Sequence, residues 1–360
     1  MGEQKRSRPR LRDLGIEIGS LPTGKHNTIT DVKGVRVGHL TLKKGKGKLR
    51  IGKGPVRTGV TAIIPVPGNI YKKKPAATTH VINGYGKSLG FPQVMELGNI
   101  ETPIVLTNTL SVWTAADAIV DYMSERNPRV LSFNPVVGEC NDGFLNDILG
   151  RHVTREHVLT ALEHARPGPI KEGNVGAGAG MGGFGFKAGI GTASRLVSGH
   201  TVGVLVLMNT GGAGNLVING VHIGDALAPA KDEAEDGSIM IVIATDAPFY
   251  QRRLTRLAKR AAFGLARTGA NASHSSGDFV IAFSTTALTS TQSDECSVAE
   301  GVISSYFRGV IEATEEAIVN SILRCGTVTG RDDNVRHGIS IRRLRELLRS
   351  AGAPPADLDI

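Results

Sequence analysis

Short apolar runs rich in β-branched residues are the feature that most constrains the fold of this 360-residue chain. The clearest runs span residues 201–208, 239–244 and 279–283, and turn-forming residues bound each of them. Runs of this length and composition predict strands that are buried on both faces. They are also far shorter than the ~18 residues that suggest a membrane-spanning helix. We therefore expect buried sheets and no membrane segment.

Helical patterns alternate with these strands in both halves of the chain. Apolar side chains recur at helical spacing over residues 114–126, 154–165, about 249–267 and about 302–323. Because no linker-like composition divides the sequence, we predict one α/β domain over residues 1–360, with helices covering the sheets.

The charge of the chain is positive but unevenly distributed. Lys and Arg number 42 against 33 Asp and Glu, and much of the excess lies in residues 5–12 and in a Gly/Lys loop at 43–54. Such runs are typical of solvated segments, and we expect residues 1–12 to be disordered. Aromatic residues make up only 4%. A nucleic-acid-binding surface, which needs stacking aromatics within a basic face, is therefore not expected.

The cysteines indicate a reducing compartment. Cys140, Cys296 and Cys325 lie far apart and form neither a disulfide pattern nor a metal-binding pattern. The charged first residues are not followed by the apolar segment of a secretory signal. A cytoplasmic location is the expectation that follows.

Neither a metal nor a nucleotide cofactor is predicted. The histidines do not form a His-Glu-x-x-His motif. Gly180-x-Gly182-x-x-Gly185 matches a dinucleotide fingerprint by count, but the fingerprint needs a strand before it and a helix after it. The surrounding stretch, 172–192, is so rich in glycine that a chance match is expected.

A loop of small and polar residues leads into Ser276-Gly277-Asp278 and then into the apolar run 279–283. Ser276 therefore lies where a mobile loop enters a rigid strand, a suitable position for a nucleophile. We hypothesise that the chain cleaves itself before Ser276, so that this serine carries both a hydroxyl nucleophile and an α-amine base. An ordinary turn is the commoner role of such a sequence, and His274 is more often a loop residue than a base.

Each of the other candidate residues has both a structural and a functional interpretation. Asn209 ends an apolar run, where a side-chain amide could serve an oxyanion or simply make a turn. Glu139 and Asn141 lie either in a turn or at the rim of a pocket. Thr314 and Glu316 lie within a predicted helix; surface acids are the simpler reading, but a half-buried carboxylate beside a hydroxyl could polarise a nucleophile.

Together, and in this order, these segments resemble the self-processing serine aminopeptidases of the L-aminopeptidase/D-esterase (DmpA-type) and β-aminopeptidase family. The resemblance spans nearly the whole chain. The matching segments are Asn27 to Val32, Gly34 to His39, Thr58 to Ala62, Gly138-Glu139, Asp142 to Asp147, Glu172 to Gly176, Gly185 to Lys187, Gly189 to Thr192, Ser276-Gly277-Asp278, Ala313 to Ala317 and Thr329 to Asp332.

The resemblance implies a four-layered αββα sandwich, similar to N-terminal-nucleophile hydrolases but with different connectivity. It implies autocleavage between Ser275 and Ser276, which would give an α chain of residues 1–275 and a β chain of 276–360. These chains would stay together, within a homo-oligomer of αβ pairs. No cofactor is implied.

The same resemblance implies roles for individual residues. Ser276 matches the nucleophile, Thr314 a second hydroxyl residue and Glu316 an assisting carboxylate. Asn209 matches the amide of the oxyanion hole, and Glu139 an acid near the free amino group of the substrate.

Two positions depart from the pattern of the family. Asn141 stands where relatives can have an aromatic side chain, so the side-chain preference of the pocket is left open. Ser275, the residue before the cut, stands where Gly or Asn is frequent, and it is small enough to fit there.

The expected activity is hydrolysis of amides, esters or short peptides at an N-terminal amino acid of L-, D- or β-type. The expected partner is thus a small peptide or an amino-acid amide. Two alternatives stay open at this point. One is an acyltransferase of the ornithine acetyltransferase-like type, although those relatives typically use a threonine nucleophile. The other is a non-catalytic relative that is never cleaved.

Overall fold

Two β-sheets packed face to face form the centre of the protein. The computed structural model describes residues 8–227, 237–288 and 298–352, apart from the side chains of 287 and 288. In chain order the strands are β1 (Arg36–Lys44), β2 (Val56–Ile64), β3 (Pro75–Gly84), β4 (Ile104–Asn108), β5 (Val136–Cys140), β6 (Gly182–Gly183), β7 (Phe186–Lys187), β8 (Ile190–Val197), β9 (His200–Asn209), β10 (Val217–Ile218), β11 (Val221–His222), β12 (Ser238–Thr245), β13 (Gly277–Leu288), β14 (Val328–Thr329) and β15 (Val335–Arg336).

Helices cover the outer faces of both sheets. In chain order they are α1 (Ile70–Lys73), α2 (Phe91–Leu97), α3 (Val112–Arg126), α4 (Arg155–Glu163), α5 (Gly224–Leu227), α6 (Gln251–Ala258), α7 (Ala261–Arg267), α8 (Ile303–Leu323) and α9 (Ile341–Ser350).

The first sheet has the order β1-β2-β4-β5, and the second has the order β3-β13-β12-β9-β8. Neighbouring strands are antiparallel except for the pairs β4–β5 and β12–β13, which are parallel. The predicted apolar runs are thus the three central strands of the second sheet, β9, β12 and β13. The remaining short strands form two-stranded ribbons.

The side chains of β12 show how the layers are held together. Ile239, Ile241 and Ile243 belong to a core shared with α6, α7 and α8, whereas Met240 and Val242 belong to a core between the sheets. A third core lies between the first sheet and helices α3 and α4. Successive residues of a strand point to opposite faces, so an unbroken apolar run fills two cores at once. The result is the four-layered αββα architecture that the family resemblance implies.

The helix predicted over about 249–267 is interrupted. Lys259 and Arg260 separate α6 from α7, and α7 lies against α8. At the contact, a side chain on Gly264 would come within 2.7 Å of the carbonyl oxygen of Ile311. The break therefore lets α7 approach α8 at a glycine, a requirement that helical periodicity alone does not reveal.

The prediction of disorder was wrong for residues 8–12, whereas residues 1–7 lie outside the described part of the chain. Leu11 is fully buried, and Arg8 donates a 2.8 Å hydrogen bond from Nε to the carbonyl oxygen of Leu323 near the end of α8. Arg10 forms an ion pair with the buried Glu172. The basic residues of this segment bind carbonyl and carboxylate groups of the folded domain instead of water.

Cys140 and Cys325 are buried free thiols, and Cys296 lies outside the described residues. Among the helices that the structure describes, none has the length and apolar character needed to cross a membrane.

Candidate active site

The ends of three strands of the second sheet meet at one edge. Ser238 begins β12 and pairs with Asn209, the last residue of β9, and with Gly277, the first residue of β13. Ser276 immediately precedes β13. The sheet therefore brings Asn209 and Ser276 to the same level, on either side of β12.

The hydroxyl of Ser276 is buried and hydrogen-bonded. Its Oγ donates to Oδ1 of Asp278 at 2.7 Å and lies 3.3 Å from Oγ1 of Thr210. Burial raises the pKa of Asp278 to about 6, and the hydrogen bond from Ser276 opposes that rise. The carboxylate form of Asp278 polarises this hydroxyl.

The backbone on both sides of the Ser275–Ser276 peptide bond is held by Asn83 of β3. The Nδ2 group of Asn83 lies within hydrogen-bonding distance of the carbonyl oxygens of Ser273, His274 and Ser276. The amide nitrogen of Ser276 donates to the carbonyl of Ser273 at 2.9 Å, which closes a turn just before the strand. The segment that enters the strand is therefore an ordered turn, and the side chain of His274 is exposed.

A cavity of about 450 Å³ lies beside Ser275. Its wall includes part of the glycine-rich stretch, from Gly180 to Gly185. Other side chains reach the cavity from separate parts of the chain: Tyr85, Lys87, Thr109, Glu139, Asn141, Phe144, Asn209, Thr210, Ser238 and Arg336.

Glu139 supplies a buried carboxylate to this cavity. Its Oε1 accepts a 2.9 Å hydrogen bond from the backbone nitrogen of Lys87, and its Oε2 accepts one from the hydroxyl of Thr109. Only 4% of Glu139 is exposed, and within the described residues it has no ion-pair partner. Because a buried carboxylate gains most from a cationic partner, this group is suited to bind an ammonium ion.

The two asparagines predicted at the site both line the cavity. Oδ1 of Asn209 accepts a 2.9 Å hydrogen bond from the nitrogen of Gly182, which fixes the orientation of the side-chain amide. Its NH₂ group is therefore left as the donor toward a ligand. Asn141 is exposed at the rim, and its Oδ1 accepts a 2.8 Å hydrogen bond from the nitrogen of Gly143.

Thr314 and Glu316 lie within α8, in different surroundings. Glu316 is fully buried and accepts hydrogen bonds from Arg195 at 2.7 Å and from Arg12 at 3.1 Å. Thr314 is also fully buried, and its hydroxyl has no hydrogen-bond partner among the described residues. A side chain on Gly264 of α7 would come within 2.7 Å of Cβ of Thr314.

The register of the second sheet separates this part of α8 from Ser276. Arg195, the partner of Glu316, pairs with Val202, which lies seven residues before Asn209 on β9. At ~3.3 Å per residue this separation is about 23 Å along the strand. The structure therefore does not bring Thr314 and Glu316 to the Ser276 hydroxyl, and the roles that the resemblance implies for them gain no support from this geometry.

Several residues at the site were missed by sequence reasoning. The contact of Asp278 with Ser276 could have been predicted, because residues two apart on a strand share a face and Ser276 is two residues earlier. The contacts of Asn83, Thr109 and Thr210 could not have been predicted, since their sequence surroundings do not show which distant segment they contact.

Comparison with known proteins places this chain in a family. The model of peptidase family S58 matches residues 27–336. The β-peptidyl aminopeptidase BapA of Sphingosinicella xenopeptidilytica is 41% identical over 95% of this chain and 91% of its own length.

Solved structures agree over almost the whole chain. The PH0078 protein of Pyrococcus horikoshii OT3 superposes with a TM-score of 0.90 at 51% identity, covering 96% of this chain and all of the other. The L-aminopeptidase D-Ala-esterase/amidase of Ochrobactrum anthropi superposes with a TM-score of 0.88 at 36% identity, covering 96% and 99%. That structure is described as a new variant among the Ntn hydrolase fold. The chain therefore belongs to peptidase family S58, and it is a serine aminopeptidase.

Proposed function

We propose that the chain cleaves itself between Ser275 and Ser276 and then uses Ser276 as the nucleophile that removes N-terminal residues. Its substrates are short peptides, amides and esters with a free amino group. One observation carries the proposal: a buried carboxylate without a described ion-pair partner, Glu139, lines the same cavity as Ser275 and Asn209.

The position of the Ser276 hydroxyl, directly after the bond that we propose is cut, supports self-cleavage. Its oxygen attacks the carbonyl carbon of Ser275 and gives an ester, which water then hydrolyses. The products are the α chain, residues 1–275, and the β chain, residues 276–360. They stay associated as one domain because β13, near the start of the β chain, lies between β3 and β12 of the α chain.

The cleaved protein has a new base at Ser276. A free α-amine has an unperturbed pKa of ~7.7–8.0, so part of it is neutral near pH 7 and can take the proton of its own hydroxyl. The hydroxyl oxygen then attacks the substrate, while Asn209 donates to the developing oxyanion and Glu139 binds the substrate ammonium. Water releases the acyl group from Ser276 and regenerates the enzyme.

The relatives guide the choice of substrate. One is named a β-peptidyl aminopeptidase and another an L-aminopeptidase D-Ala-esterase/amidase. We therefore propose that L-, D- and β-residues with a free amine are all candidate substrates, with Asn141 at the rim contributing to side-chain preference. A homo-oligomer of αβ pairs in the cytoplasm is part of the same proposal.

The test combines processing with activity. Denaturing electrophoresis of purified protein should show two fragments, and N-terminal sequencing of the smaller should begin Ser-Gly-Asp-Phe. Ser276→Ala should give a single full-length band without activity. A panel of L-, D- and β-amino-acid p-nitroanilides, each paired with its N-acetylated form, should be hydrolysed only when the amine is free. Hydrolysis by Ser276→Ala, or equal hydrolysis of acetylated substrates, would overturn the proposal.

A further inference from the structure

We propose that Asp278 is the catalytic base of the self-cleavage step, and that the base changes from this carboxylate to the α-amine of Ser276 once the chain is cut. This inference rests on the proposed function, because it concerns the same peptide bond.

The geometry of the two side chains carries the inference. Oδ1 of Asp278 accepts the hydrogen bond of the Ser276 hydroxyl at 2.7 Å, and both residues are fully buried. The second oxygen, Oδ2, is buried without a close hydrogen-bond partner among the described residues, and the backbone of Ile239 is the one other group that stabilises the charged form of this carboxylate. A buried carboxylate with so few donors is a stronger proton acceptor than one that is solvated or fully hydrogen-bonded.

The chemistry requires a base that the mature enzyme does not need. In the uncut chain the nitrogen of Ser276 is a peptide nitrogen, which cannot act as a base. The hydroxyl has two described side-chain partners, Asp278 and Thr210, and the hydroxyl of Thr210 is a very weak base. Asp278 is therefore the group in place to receive the proton.

The step balances with water as the only co-reactant. The Oγ proton passes to Oδ1 of Asp278 as Oγ bonds to the carbonyl carbon of Ser275. The bond from that carbon to the nitrogen of Ser276 then breaks, and the nitrogen takes the proton from Asp278. Water hydrolyses the resulting ester, which leaves a carboxylate on Ser275 and restores the hydroxyl of Ser276.

The surroundings of Asp278 give this step a pH dependence. Burial raises its pKa to about 6. The thiol of Cys140 on β5, in the core between the two sheets, interacts electrostatically with both Asp278 and Glu139. Glu139, Lys87 and Tyr85 line the adjoining cavity, and His274 is in the exposed turn. Because only the carboxylate form accepts a proton, the cleavage rate should rise with pH up to about 6 and be level above it.

The experiment follows cleavage of newly synthesised precursor. Full-length protein is pulse-labelled in a cell-free translation system. The chase is run in parallel samples from about pH 5 to about pH 8. Protease resistance of each sample shows whether the protein is folded at that pH. We expect the rate for the wild type to increase with an inflection near pH 6. Asp278→Asn should slow cleavage by about 100-fold or more and abolish the inflection, whereas Asp278→Glu should recover part of the rate.

Asp142→Asn is the matched control, because Asp142 is another buried aspartate whose pKa burial raises, to about 7. Cleavage of this control should keep the wild-type inflection. Cleavage in Asp278→Asn at the wild-type rate, or a wild-type rate that does not change with pH, overturns the role of Asp278 while leaving cleavage at Ser276 intact. A wild-type protein that never cleaves overturns the proposed function itself. If Asp278→Asn does not fold, the pH profile of wild-type cleavage and the cleavage rate of Asp278→Glu test the role of Asp278.

Discussion

The side-chain amide of Asn83 donates a 2.5 Å hydrogen bond to the carbonyl oxygen of Ser276, a residue almost two hundred positions later in the chain. The same amide reaches the carbonyl of Ser273 at 2.9 Å. It therefore holds the backbone before and after the peptide bond that we propose is cut. Asn83 also pairs with Asp278 across β3 and β13, so one strand position orients the bond and faces the proposed base.

Asn83→Ala should slow self-cleavage by about tenfold. Losing hydrogen bonds of about 1 kcal/mol each loosens the turn, and 1.36 kcal/mol corresponds to a tenfold change in rate. The measurement is the uncut fraction over time on denaturing gels. Asn99→Ala is the control, because among the described residues the side-chain amide of Asn99 bonds only to a nearby backbone carbonyl, that of Leu97. Equal rates for the two variants would contradict a positioning role for Asn83.

Glu139→Gln should weaken binding of substrates through their ammonium group. Glutamine keeps the shape of the side chain and can accept from Lys87, but it has no charge to pair with the substrate. We expect kcat/KM for a free-amine p-nitroanilide to fall by about 30-fold or more, since truncating a buried charge pair costs about 2–5 kcal/mol. Self-cleavage should be unchanged, because it involves no substrate amine. A variant with wild-type kcat/KM would show that the ammonium binds elsewhere.

Asn209→Asp should separate the two hydrogen-bonding roles of this side chain. Aspartate can still accept from the nitrogen of Gly182, but it cannot donate to an oxyanion. We expect kcat to fall by about 100-fold or more, in line with the loss of an oxyanion-hole donor. The control is the melting temperature, which should stay close to that of the wild type. Retention of kcat would place the oxyanion donor at another group.

Thr314→Val should leave both self-cleavage and peptidase activity in place. The hydroxyl of Thr314 is buried without a described hydrogen-bond partner, so a methyl group of similar size should be neutral or stabilising. Electrophoresis and p-nitroanilide assays test this expectation. Loss of both activities in a folded variant would instead support the catalytic role that the family resemblance implies.

Glu316→Gln should act on stability. Arg195 and Arg12 would each lose a charged partner in the buried cluster on α8. Breaking such a pair costs about 3–5 kcal/mol, which should lower the melting temperature by several degrees. At a temperature where the variant is folded, its kcat should stay within about threefold of the wild type. If Glu316 were an assisting carboxylate, its removal would lower kcat far more.

The sequence was most informative where the relevant signal is local. The apolar run at 239–244 and the position of Ser276 at a loop-to-strand junction both depend on adjacent residues, and the structure places both as predicted. Asn209 was located at a strand end for the same reason. The common level of Asn209 and Ser276 requires only that β9 ends and β13 begins at one edge of the sheet, on either side of β12.

Predictions that depended on distant partners were less successful. The helix pattern gave Glu316 a half-buried position, but it could not show that guanidinium groups of Arg12 and Arg195 occupy the carboxylate. Likewise, helical periodicity continued through Lys259 because the close approach of Gly264 to α8 has no local signature. In both cases the deciding contact joins segments far apart in sequence.

Because β13 lies in the centre of the second sheet, cutting the chain changes the number of molecules that unfolding produces. Apart from any association between subunits, an uncut chain unfolds as a single molecule, so its unfolding midpoint does not depend on concentration. A cleaved chain that unfolds must release two polypeptides, because β13 belongs to one and both of its sheet neighbours to the other. Its melting temperature then rises with protein concentration, and its recovery after heating becomes a second-order process.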